Sequence, residues 1–184
     1  SSAMAAYAPL AQKVFGAVQI ARAARLNLFM SLVISRLVYN AHVWSNITKS
    51  MYTTLNNMYM RGMRRISGHC RFNAENSMSD HDVRVALGVV SLQCLISQRR
   101  LLLLASILRH GPLQLVALLS ANGPGGPLPW VKLVISDMQR LQNYHAPKLD
   151  ELGDPRNTPA AWTSVIVSFP AEWKALVRTM HITS

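Results

Sequence analysis

The sequence is poor in acid and in cysteine. Only eight of its 184 residues are Asp or Glu, and none of them precedes Glu75. Cys70 and Cys94 are the two cysteines. That is too few for a disulfide-stapled secreted module, and a reducing compartment is the default. Charged residues make up 15% of the chain and hydrophobic ones 50%, which excludes an acidic disordered tail. Glycine and proline, nine of each, exclude a collagen-like repeat. There is no Gly-rich phosphate loop, no His-Glu-x-x-His, no Gly-x-Ser-x-Gly and no Cys-x-x-Cys. His69, Cys70, His81 and Cys94 lack the spacing of a zinc site. Asp80 and Asp82 bracket His81, and this trio reads as the acidic first turn of a helix. No metal and no cofactor is expected. No run alternates strictly between apolar and polar, so strands are not supported.

What is present is positive charge. The formal net charge is +11. From Ser1 to Ala74 there are nine basic residues and no acid: Lys13, Arg22, Arg25, Arg36, Lys49, Arg61, Arg64, Arg65 and Arg71. An acid-free cationic stretch points to a polyanion, either nucleic acid or an anionic membrane surface. The most apolar early stretch, Leu26 to Trp44, has the length of a membrane span. It contains Arg36, Asn40 and His42, and a mid-span Arg costs a few kcal/mol, so it reads as a buried helix. An Arg-bearing, acid-free N-terminus also suits an organelle transit peptide, but the cationic region is long and dense in large apolar residues. The chain begins at Ser1 without an initiator Met, which reads as a fragment, a processed form or an incomplete gene model.

Helical periodicity runs almost throughout. The first helical segment is expected from about Pro9 to Trp44, with a break near Arg25 to Asn27. A second helix is expected from about Thr48 to Ser67, closed by Gly68. Its stripe is Tyr52, Leu55, Tyr59, Met63 and Ile66, with Arg61, Arg64 and Arg65 on the opposite arc. Ser79 starts a short helix that Gly88 ends. Ser91 caps the next, Leu92 to His110, whose run Leu101 to Leu104 is apolar on every side and marks it as the most buried. Cys94 belongs to its core. A short helix, Leu113 to Ser120, precedes the Pro/Gly-rich linker 121–129. Three more helices follow, led by Pro129, Pro159 and Pro170, with Thr158 as an N-cap. Tyr39 and Trp44 have ring faces suited to base stacking. At helical spacing they read as packing residues. The expectation is an all-α fold: a helical domain over 1–120, a linker over 121–129 and a smaller helical segment over 130–184.

Several segments resemble non-LTR (LINE-like) retrotransposon reverse transcriptases, in order and spacing. LVYNAHVW, Leu37 to Trp44, is similar to that family's "LLYGSETW" segment. Leu55 to Gly68 is similar to its "LNxFxxRxLRRIxG" helix. Ser79 to Arg100 is similar to "SxxEVRxxLGxxSLExLLxxRR", and Arg99 to Arg109 to "RRLRWLGHVLR". The stretches PLPWVKLVISDMQRLQ and FPAEWKALV look like the tail of one protist branch. The sequence departs from the family pattern at Asn40, His42, Leu103 and Ala105-Ser106.

The resemblance implies the thumb and C-terminal region of such a polymerase, a thumb-like helical bundle without palm or fingers. The family's catalytic carboxylates, with their Tyr/Phe-Ala-Asp-Asp turn, have no counterpart here. The chain is therefore expected not to polymerise by itself and to be no enzyme. The implied partner is nucleic acid, an RNA or an RNA–DNA hybrid gripped along its backbone, together with the palm and fingers of a parent polymerase. A membrane is not the expected partner. The residues expected at the nucleic acid are Arg61, Arg64, Arg65, Arg71, Lys49 and Arg36. For the arginines of the second helix, the competing reading is a solvated basic face or ion pairing within the fold with Asp80, Asp82 or Asp150. The expected location is intracellular, nuclear or cytoplasmic, with organelle import as the alternative. Two other readings stand beside this one: a helical interaction or assembly subunit, and a non-functional retroelement remnant.

Overall fold

The computed structural model describes residues 2–69, 77–121 and 126–181. The fold is all-α, and no β-strand occurs among the described residues. The chain packs as two compact units.

The first unit holds residues 1–40 and 47–92. It opens with α1 (Ser2–Tyr7), a 3-10 turn (Ala8–Leu10) and a π-helical turn (Ala11–Phe15). The expected long helix is interrupted at 16–21 rather than near Arg25. Arg25 instead lies inside α2 (Arg22–Phe29), where it is buried and its Nη1 donates to the Phe15 carbonyl at 3.1 Å. A cation there satisfies a carbonyl that the broken helix leaves over. A second π-turn (Met30–Ile34) and α3 (Ser35–Leu37) follow.

The main helix, α4 (Lys49–Ser67), has the expected ends. Thr48 Oγ1 accepts from the Met51 amide, and Gly68 takes φ +81, the left-handed conformation that suits glycine. Its burial is concentrated in the second half, at Tyr59, Met60, Gly62, Met63 and Ile66, while Tyr52 and Leu55 are half-buried. Next comes α5 (Asp80–Leu87), capped reciprocally: Ser79 Oγ accepts from the Asp82 amide and donates to its carboxylate. The core centres on three rings. Tyr7 stacks on Phe15 with centroids 5.7 Å apart, and Phe29 meets both edge-on.

The second unit holds 41–46 and 93–183. It contains α6 (Leu92–His110) apart from its first residue, α7 (Leu113–Ser120), α8 (Pro129–Tyr144), α9 (Ala146–Leu149), α10 (Pro159–Ser168) and α11 (Pro170–Thr179). α7 and the helices after the linker fall in this one unit, in place of the expected separation of 1–120 from 130–184. α6 meets α8 and α11, and it is buried along much of its length as its apolar run implies. Cys94 Sγ donates to the Met180 carbonyl, and Trp173 Nε1 to the Leu101 carbonyl. Trp162 and Trp173 are fully buried and meet edge to face. Proline takes the first turn of α8, α10 and α11 as expected. Thr158 makes no N-cap bond; its hydroxyl donates to the carbonyls of Leu152 and Asp154 instead. Residues 41–46 join this unit through Trp130, whose Nε1 donates to the His42 carbonyl at 2.7 Å.

No single helix among the described residues is long and apolar enough to cross a membrane, although α5 and α6 pass the length and composition test as a bent pair.

Candidate nucleic-acid interface

Arg61 and Arg65 lie one turn apart on α4, and both side chains are exposed. Burial pushes the Tyr7 pKa above 10.0, and the charges of Arg65 and Arg61 pull it back. Arg65 crosses the end of the 11–15 turn, where its Nε donates to the Ala11 carbonyl at 3.3 Å. Gly16 permits this approach, because a Cβ there would stand 2.8 Å from Arg65 Nε.

Arg64 behaves differently. It is 11% exposed, donates to the Met78 carbonyl at 2.8 Å and pairs with Asp80 at 2.5 Å. This is the competing in-fold pairing, realised at one arginine of the three. The helical wheel places Arg64 beside its neighbours, but the long side chain turns toward α5. Asp80 is thereby used up as a helix-start acid and an ion-pair partner, and Asp82 closes the cap.

Arg36 and Lys49 are exposed, as are Lys13 and Arg22. Among the described residues, none of Lys13, Arg22, Arg36, Lys49, Arg61 and Arg65 has a carboxylate within 4.0 Å. Arg71 lies outside the described residues. The first unit therefore presents exposed cations that have no carboxylate partner among the described residues.

The second unit handles charge in the opposite way. Asp137 is fully buried on α8. Its carboxylate accepts from Ser97 at 2.7 Å, pairs with the buried Arg100, and receives Arg140 at 3.1 Å. Both oxygens of this group are paired, which makes it a structural lock between α6 and α8. Nothing in the sequence pattern singled out Asp137; its i+3 partner Arg140 was the one local hint. His42 sits near the same cations. Burial first, and then the charges of Arg99 and Arg100, hold its pKa below the usual 6.5.

This unit also carries an apolar groove of about 1230 Å³ between α6, α7, α8 and α10, lined by Leu104, Leu108, Trp130, Ile135, Met138 and Val167 among others. Among the described residues no group of three or more His, Cys, Asp or Glu is placed to hold a metal ion.

These features define an all-α protein whose first unit is cationic and short of acid. The chain matches no protein-family model, no curated protein and no solved structure.

Proposed function

We propose that the chain is a non-catalytic nucleic-acid-binding module, comparable to the thumb and C-terminal region of a retroelement reverse transcriptase, that grips a polynucleotide by its backbone. The observation that carries the reading is the pair Arg61 and Arg65, exposed one turn apart in a unit whose other exposed cations, Lys13, Arg22, Arg36 and Lys49, also have no carboxylate within 4.0 Å among the described residues. Such charges neutralise phosphates and release counterions, giving affinity that depends on salt and tolerates sequence. An RNA–DNA hybrid or an RNA helix is taken by shape and backbone contacts, which suits a surface without a built base pocket.

Arg64 is left out of the contact set, since its charge is committed to Asp80. The test is a mobility-shift titration of a hybrid duplex at several salt concentrations. The double variant Arg61→Ala/Arg65→Ala flattens the slope of log K against log salt by up to about two. An unchanged slope removes these residues from the interface. Vesicle flotation with anionic lipid serves as the control for a membrane surface.

A further inference from the structure

Tyr39 is 71% exposed, the most exposed aromatic side chain among the described residues. Its helical spacing suggested a packing role, and the structure places it otherwise. The backbone behind it is anchored. Leu37 and Val38 are buried at 7% and 0%, and the Tyr39 amide closes a turn onto the Arg36 carbonyl at 3.4 Å. Asn40 then takes φ +56, a left-handed conformation uncommon for a residue with a side chain. The backbone is set by two buried residues before Tyr39 and a left-handed residue after it, and the ring stands in solvent. Three residues earlier Arg36 is also exposed, with no carboxylate within 4.0 Å among the described residues.

We infer that Tyr39 is a stacking platform for an unpaired base, with Arg36 beside it in sequence to hold the adjoining phosphate. The chemistry is that of single-strand recognition. A base offers a π-face whatever its identity, and a tyrosine ring has only two torsions to order on stacking. A fully paired duplex hides its base faces, so the ligand of this platform is a single strand or the unpaired overhang of a duplex. The inference rests on the backbone-binding reading above and gives it a preference for unpaired ends.

Two labelled ligands test it by fluorescence anisotropy: a blunt RNA–DNA hybrid and the same hybrid with a short single-stranded overhang. The wild type binds the overhang form more tightly, by about 5- to 150-fold for one stacked base. Tyr39→Ala removes that difference and leaves blunt-duplex affinity and its salt slope unchanged. Tyr39→Phe keeps the difference, and Tyr39→Leu loses it. An abasic overhang behaves as a blunt end does. Equal wild-type affinity for both ligands overturns the stacking assignment, while salt-dependent blunt binding sensitive to Arg61 and Arg65 leaves the backbone reading standing. Equal weakening of both ligands by Tyr39→Ala also overturns it. Failure of the wild type to bind either ligand overturns both readings.

Discussion

Gly62 lies against the ring of Phe29. A Cβ built on Gly62 would fall 2.0 Å from Phe29 Cζ. The ring has no room to retreat, because Phe29 is fully buried and meets Tyr7 and Phe15 edge-on. A glycine in mid-helix normally weakens α4 by up to about 1 kcal/mol relative to alanine. Here the missing side chain is what lets α2 and α4 approach.

Gly62→Ala is therefore expected to destabilise the first unit, despite the gain in helix propensity. Overpacking of a filled core costs about 1–3 kcal/mol, and more where the neighbour cannot shift. Urea denaturation followed by circular dichroism measures it. The companion Phe29→Leu/Gly62→Ala recovers part of the loss, because the shorter side chain makes space for the methyl group.

Removing one side of the buried pair in the second unit has a larger effect. Asp137→Asn leaves the buried Arg100 charge without its counterpart, a loss of about 3–5 kcal/mol, whereas Arg100→Met leaves Asp137 with only the half-exposed Arg140. The double variant Arg100→Met/Asp137→Leu removes both charges and is less harmful than either single change. Thermal unfolding of the three proteins settles the order.

Arg64 and its neighbours separate by assay. Arg64→Ala lowers stability by about 1 kcal/mol, since it loses a charge-assisted bond to Asp80 and one to the Met78 carbonyl. It leaves the salt slope of nucleic-acid binding unchanged. Arg61→Ala does the reverse, flattening the slope by about one with little change in the unfolding midpoint. If Arg64→Ala alone lowers the slope, its pairing with Asp80 gives way on binding.

His42 predicts a pH dependence. Its pKa is lowered in the folded protein by burial and by Arg99 and Arg100, so the unfolded chain takes up a proton first as pH falls. The His42 contribution to stability is complete above its ordinary value of 6.5 and is lost as pH falls from there through the lowered value. His42→Gln removes that loss. The difference between wild-type and variant denaturation midpoints, followed from pH 7.5 downward, is the readout. A constant difference across the range would show that His42 titrates alike in both states.

The local features of the fold were legible because they rest on short-range chemistry. Thr48 and Gly68 bound α4, Ser79 and Gly88 bound α5, and the prolines lead α8, α10 and α11, each through backbone rules that act within a few residues. The apolar run of α6 disclosed its burial for the same reason. What escaped was long-range. The break after Phe15 depends on Arg25 reaching back ten residues and on Arg65 arriving from α4. Arg64 left the cationic face because Asp80, sixteen residues on, lies within reach. The burial of Asp137 depends on Ser97 and Arg100, about forty residues away. Tyr39 fits a helical stripe in spacing, but α3 ends at Leu37, which takes Tyr39 off that stripe.

The Ala11 carbonyl has a double role. It accepts from the Gly16 amide at 3.0 Å as well as from Arg65. A phosphate that draws Arg65 away leaves the full acceptor strength of that oxygen to Gly16. The Gly16 amide is thus wired to the occupancy of a side chain 49 positions further along the chain. In a proton–nitrogen spectrum its resonance would report ligand arrival at α4 without any label on the ligand. The N-terminal turn would then serve as an indicator for the surface beside it.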